Sequence, residues 1–287
     1  MDDGVVVRAK DWGPSRGTRP VICLPGLTRN ARDFDALAEA LAKEDRNGPA
    51  LRVIAIDSRG RGRSDHADPS TYTLPQELKD VIAALDAWGI DDARFVGTSR
   101  GGLLIMLLAM VAPQRIDRAV LNDIGPRIEP VGLRRIAAGV GTTMVFASFD
   151  ALAEELKARM ALQFPRLGEG HWMRLAFQLA SPAPEGGVRF DYDERLADLF
   201  RASADNDDGA TYDFWPAFEA LSSRPGLVIR GAHSDILSAA TVEAMRRRDT
   251  RLKTFVASGE GHAPLLWDRR SLETVKTFLC GMPANLV

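Results

Sequence analysis

Between a short apolar run, Arg94-Phe95-Val96, and a longer one, Leu103 to Met110, stands Gly97-Thr98-Ser99-Arg100-Gly101-Gly102. A serine in the pattern G-x-S-x-G, with a strand before it and a helix after it, sits on a turn tight enough to strain its own backbone. Side chains two positions to either side would collide there, and Gly97 and Gly101 remove them. The Ser99 hydroxyl is then lifted clear of the strand ends, at the positive end of the following helix, where developing negative charge is stabilised. The chemistry this suits is nucleophilic attack on a carbonyl carbon, provided a base takes the hydroxyl proton.

Histidine is the side chain best matched to that task near neutral pH. The chain offers His66, His171, His233 and His262. His262, in Gly259-Glu260-Gly261-His262-Ala263-Pro264, follows the last strand-like run, where a loop can carry an imidazole over the edge of a sheet. The acid that orients the imidazole should fall between serine and histidine in chain order. Asp235, in Arg230-Gly231-Ala232-His233-Ser234-Asp235, is preferred. Asp123, in Leu121-Asn122-Asp123-Ile124-Gly125-Pro126, also qualifies by order and by loop position, and stands as an accessory acid or a cap of the hinge behind it. The tetrahedral oxygen needs two converging donors. The backbone N–H of Arg100 comes with the turn, and that of Leu27, in Leu24-Pro25-Gly26-Leu27-Thr28, is the expected second; a plain turn is the rival reading there.

These residues need a scaffold. Short β-branched runs at Pro20 to Leu24, Leu51 to Ile56, Ala93 to Val96, Arg118 to Leu121, Gly226 to Ile229 and Leu252 to Val256 look like buried parallel strands. Helical patterns fall between them, at Ala31 to Ala42, Pro75 to Trp88, Gly101 to Met110, Ala239 to Arg247 and Ser271 to Leu279. The alternation predicts an α/β fold, a doubly wound sheet with helices on both faces. Between Leu121 and Gly226 the rhythm breaks: helical patterns at Ala151 to Phe164 and Trp172 to Leu179 appear without a convincing strand, so residues 127–222 are expected to form an inserted helical cap on a core of 1–126 and 223–287. Met144, Phe146, Phe149, Met160, Phe164, Trp172, Met173, Phe177 and Trp215 could line a pocket, although an inserted layer must bury most of them to hold itself together.

Composition narrows the function classes. With 37 basic and 39 acidic residues, net charge is −2, so no whole-molecule field favours nucleic acid or an anionic membrane. The start, Met1-Asp2-Asp3-Gly4, is acidic where a secretory signal is basic, and no apolar run reaches the ~18 residues of a membrane span, which together predict a cytoplasmic protein. Cys23 and Cys280 fit two reduced, packed thiols. No Gly-Lys pair marks a P-loop, and no His-Glu-x-x-His or paired Cys-x-x-Cys marks zinc, so neither cofactor nor metal is expected. Gly60-Arg61-Gly62-Arg63-Ser64-Asp65 opens like a dinucleotide fingerprint but has aspartate at the third glycine position and no helix behind it.

Taken together, Pro25-Gly26-Leu27, Asp57-Ser58-Arg59-Gly60-Arg61-Gly62-Arg63-Ser64, the turn around Ser99, Asp235 and Gly261-His262 resemble the α/β-hydrolase superfamily, in particular its capped branch of esterases, enol-lactonases and carbon–carbon bond hydrolases. The resemblance implies a mostly parallel eight-stranded sheet, a helical cap after the sixth strand, and a triad of Ser99, Asp235 and His262. Pro25 replaces the histidine that often opens the oxyanion loop, and Arg100 stands where relatives often carry an apolar residue; its guanidinium could read a substrate carboxylate or form a buried ion pair. Serine at the turn argues against epoxide hydrolysis and dehalogenation, whose relatives place aspartate there. Expected is a carboxylesterase acting on a small apolar ester, with lactone or carbon–carbon bond hydrolysis as the alternative and a non-catalytic binding module as a third reading. Oligomeric state is left open.

Overall fold

The structure is a computed structural model that describes residues 1–15, 19–141, 144–198 and 213–282. Its main sheet is built by strands β1 (Arg8–Trp12), β2 (Val21–Leu24), β3 (Val53–Asp57), β4 (Ala93–Thr98), β5 (Ile116–Asn122), β8 (Gly226–Gly231) and β9 (Lys253–Ala257). The order across it is β1-β3-β2-β4-β5-β8-β9. All neighbours are parallel except β1, which runs antiparallel to β3. The main sheet therefore has seven strands among the described residues, where the resemblance implied eight: a single edge strand precedes the parallel set. Its sequence, Arg-Ala-Lys-Asp-Trp, leaves it half exposed with charges facing solvent, a common protection for a sheet edge and a poor hydrophobic signal.

The inner parallel strands are apolar over most of their length because both faces are covered, while the edge strand β9 keeps Lys253 and Val256 exposed. Alternate residues divide between two cores: Ile22, Leu24, Ile54, Ile56, Phe95 and Val228 face helices α2 (Leu74–Ala87), α3 (Arg100–Val111) and α7 (Trp215–Leu221). Val21, Cys23, Val53, Ala55, Val96 and Ile229 face α1 (Asp35–Leu41) and α9 (Arg269–Leu279), the helix that follows α8 (Ala239–Arg248) in the chain. Thr73 caps α2 by accepting from the Gln76 N–H, with Pro75 in the first turn, and Asp268 caps α9 by accepting from Ser271. The chain leaves β2 toward β3 on one side and returns to β4 on the other. The loops after β2 and β4 therefore diverge at a switch point, where α/β sheets place their ligands.

Between β5 and β8 lie α4 (Pro130–Gly139), α5 (Phe149–Met160), α6 (Glu169–Leu179) and a short hairpin, β6 (Ala180–Pro182) with β7 (Val188–Phe190). The hairpin is strand in a region where no convincing strand is expected; six paired residues are too few for a periodic signal. This layer has its own apolar centre of Phe146, Leu152, Phe164, Trp172, Leu175 and Val188. Helix α7, inside the stretch expected to be cap, instead packs Ala217, Phe218 and Leu221 into the core against α3. We propose that the division between core and cap falls ahead of α7. No helix among the described residues is long and apolar enough to cross a membrane.

Candidate active site

Ser99 joins β4 to α3 with φ 51° and ψ −115°, a left-handed geometry rare for a residue with a side chain. It is held on both sides: its N–H donates to the Asn122 carbonyl at 2.9 Å, and its own carbonyl accepts from Gly102 N–H at 2.8 Å. The glycines are required by contact as well as by strain. A Cβ at Gly97 would lie 2.5 Å from the Gly101 carbonyl carbon, and one at Gly101 would lie 2.0 Å from the Leu24 carbonyl oxygen.

His262 Nε2 stands 2.9 Å from Ser99 Oγ, and His262 Nδ1 stands 2.8 Å from Asp123 Oδ2. Asp123 is wholly buried at the end of β5, itself with positive φ (57°). Its Oδ1 accepts from Gly231 N–H at 2.7 Å and its Oδ2 also accepts from Ser234 Oγ at 2.6 Å. A carboxylate satisfied in this way holds one imidazole orientation.

The expectation that Asp235 touches the imidazole is corrected. Its two oxygens accept from Arg135 Nε and Nη2 at 2.6 and 2.8 Å, and that pairing outweighs burial to hold its carboxyl below the ordinary range. The turn after β8 decides the matter: Ser234 points inward to Asp123, so its neighbour Asp235 faces α4, where Gly132 leaves room for the loop backbone. Of the other histidines, His66 and His233 are exposed and His171 sits in the first turn of α6, accepting from Gly168 N–H.

Leu27 and Arg100 both border the space above Ser99. The Arg100 N–H opens α3, where no helical carbonyl is available to accept it. The Leu27 loop passes close enough that a Cβ on Gly26 would lie 3.8 Å from Ser99 Cβ. The Arg100 guanidinium is engaged within the protein. It donates from Nε to Glu77 Oε2 at 2.7 Å and from Nη2 to the Tyr72 carbonyl at 2.9 Å. Buried Arg61 donates to the other Glu77 oxygen at 2.8 Å and to the Leu27 carbonyl at 2.7 Å. Neither Ser234 nor Glu77 carries a motif that singles it out in the sequence.

Two cavities meet at Ser99. One, of about 470 Å³, lies under the cap and carries Arg29, Arg135, Arg159 and Gln178 among apolar neighbours, with Asp33 the one carboxylate among the described lining residues. The other, of about 420 Å³, is nearly all apolar, with Leu74, Leu103, Ile128, Leu133 and Phe214 in its wall. Of the cap aromatics and methionines considered from sequence, Met160 reaches the first cavity, while Phe146, Phe164 and Trp172 hold the cap together.

A model of the α/β-hydrolase fold matches residues 19–269. The chain belongs to the α/β-hydrolase family. It is 32% identical to a 3-hydroxybutyrate-oligomer hydrolase of Cupriavidus necator over 94% of this chain and 92% of the relative. A shorter likeness, 32% identity across 42% of this chain and 44% of the other, links it to the esterase YbfF of Escherichia coli. Among solved structures, an α/β-hydrolase from Novosphingobium aromaticivorans superposes with a TM-score of 0.87 at 40% identity, covering 96% of this chain and 94% of that one.

In this hydrolase the loop bearing His262 is braced by Glu260, whose Oε2 accepts from Leu265 N–H at 2.6 Å. Burial pushes the Glu260 carboxyl up to about 7 against that hydrogen bond, with the charges of Asp268 and Asp123 adding to the rise. Among the described residues, no group of three or more His, Cys, Asp or Glu side chains gathers as metal ligands would.

Proposed function

We propose that this hydrolase is a serine esterase that cleaves short to medium carboxylic esters through an acyl-enzyme. The observation that carries the reading is the continuous hydrogen-bonded line Asp123–His262–Ser99, which ends on a hydroxyl at the junction of two cavities. As Ser99 Oγ bonds to the ester carbon, its proton passes to His262 Nε2 and the carbonyl π electrons move to oxygen, toward the Leu27 and Arg100 N–H groups. The imidazolium, stabilised by Asp123, then gives its proton to the departing alkoxide as the carbon–oxygen bond breaks. Water repeats the sequence on the acyl-enzyme, with His262 again as base, and frees the acid and Ser99.

The cavities suggest the substrate class. The guanidinium groups of Arg29, Arg135 and Arg159 are each ion-paired, with Asp33, Asp235 and Glu155; an ester partner that ends in a carboxylate would share Arg159, which meets Glu155 through Nε, and the apolar cavity suits a short hydrocarbon part. Short hydroxyacid esters have both features, in keeping with the name of the Cupriavidus relative.

The test is a series of p-nitrophenyl esters graded by acyl length, run beside the dimer of 3-hydroxybutyrate and its methyl ester. Short acyl groups and the free-acid dimer should be turned over best, and Arg159→Ala should raise KM for the free acid but not for its methyl ester. Best turnover on chains beyond about twelve carbons, longer than cavities of this size suit, would refute the size class. Equal handling of acid and methyl ester would refute the carboxylate preference.

A further inference from the structure

The two residues expected to supply the oxyanion donors come from loops after different strands, Leu27 after β2 and Arg100 after β4, yet two buried side chains, Glu77 and Arg61, connect them. Glu77, on α2, is 2% exposed and lies between two guanidinium groups. Its Oε1 accepts from Arg61 Nη1 at 2.8 Å and its Oε2 from Arg100 Nε at 2.7 Å. Arg61 carries the connection onward, because its Nε donates to the Leu27 carbonyl at 2.7 Å while Nη1 also donates to the Arg59 carbonyl at 2.6 Å. Burial pushes the Glu77 carboxyl upward, but the charges and hydrogen bonds of Arg61 and Arg100 outweigh it and hold it below its ordinary value.

We propose that Glu77 and Arg61 are positioning residues for the oxyanion hole, joining the Leu27 loop to the start of α3 so that both backbone N–H groups converge before substrate arrives. The proposal rests on the Ser99 esterase reading. Its physical basis is that the planar peptide unit holding the Leu27 carbonyl is joined to the unit holding the Leu27 N–H through only the two backbone dihedrals of Leu27. Fixing the Leu27 carbonyl fixes one end of the loop segment whose N–H must point at the oxyanion, and donors that are already aligned need no reorganisation at the moment of reaction. An ion-paired glutamate suits this better than an apolar contact, since two opposed bidentate-capable guanidinium groups restrict direction as well as distance. The arrangement also explains a buried Arg–Glu–Arg cluster whose desolvation gives it little net value to stability.

The test compares wild type with Glu77→Gln, which keeps the shape but removes the charge that holds both arginines. Expected is a fall in kcat of about ten- to a hundredfold, less than complete loss of one donor, with KM within about threefold. Affinity for a trifluoromethyl ketone, which forms a tetrahedral oxyanion on Ser99, should fall by the same factor, while affinity for the product acid stays level. A merely structural role would lower thermal stability without that selective loss. If Glu77→Gln does not fold, Arg100→Met decides: its side chain is partly exposed and its backbone N–H is retained, and kcat and ketone affinity should drop together by about three- to tenfold. The proposal is overturned if the folded variant keeps kcat within twofold of wild type or binds the ketone as wild type does. Failure of the underlying esterase reading looks different: wild type itself would be inactive, or Ser99→Ala would keep full activity.

Discussion

The carboxylate of Asp123 meets His262 at the end of β5, the strand that precedes the inserted layer, and not at the end of β8. The two candidate acids thus divide their work: Asp123 faces the imidazole from full burial, and Asp235 ties Arg135 of α4 to the loop that carries Ser234.

That division predicts opposite outcomes for two matched substitutions. Asp123→Asn should reduce kcat on p-nitrophenyl butyrate by about a thousandfold to ten-thousandfold, because an amide no longer holds the productive tautomer. Asp235→Asn should stay within severalfold of wild type. Steady-state kinetics on both proteins checks the pair, and the reverse ranking would move the acid to Asp235.

Ser234 donates to Asp123 and also accepts from the Ile236 and Leu237 N–H groups at 3.2 and 3.0 Å. Ser234→Ala should therefore cost activity without abolishing it, by about three- to tenfold in kcat, as expected for losing one hydrogen bond to a charged group that keeps others. Urea denaturation of the same variant should show a loss of about 2 kcal/mol.

Gly101 cannot carry a side chain without moving β2, since a Cβ there would sit 2.0 Å from the Leu24 carbonyl oxygen. Gly101→Ala should destabilise by about 3 kcal/mol or more, at or beyond the upper end for overpacking. Denaturant midpoints measure this, and a stability equal to wild type would mean that the elbow is looser than the structure has it.

Glu260 supplies a pH dependence. Its folded-state value of about 7 lies above its ordinary 4.5, so between those values the folded chain holds a proton that the unfolded chain has released. Stability should fall as pH rises from near 4.5 through about 7, then level off. Glu260→Gln keeps an acceptor for Leu265 N–H but has nothing to titrate. Its melting temperature should match wild type near pH 4.5 and exceed it by several degrees at pH 8, measured by calorimetry across that range. A constant offset at every pH would contradict this.

Much of this site was legible because its signals are local. The elbow is a contiguous pattern between a strand and a helix, and His262 sits in a loop beyond the last strand, so type and order together picked both out. The alternation of strands and helices gave the fold for the same reason. The choice between Asp123 and Asp235 was not local: both follow strands and both precede His262, and what separates them is the turn that sends Ser234 inward and Asp235 outward. Arg100 shows the same limit, since its partner Glu77 is distant in sequence and lies on an otherwise ordinary helix. Strand β1 gives no signal because a charged edge strand has no apolar period, and α7 falls inside 127–222 because a break in the strand rhythm marks an insertion without marking its end.

The most direct test of the central claim is peptide mass spectrometry after treatment with a fluorophosphonate. The hydrolase should carry one covalent adduct, on Ser99, formed far more slowly in Asp123→Asn and absent in Ser99→Ala. An unlabelled wild-type protein that is folded, or an adduct on a different residue, would contradict the assignment of Ser99 as the nucleophile.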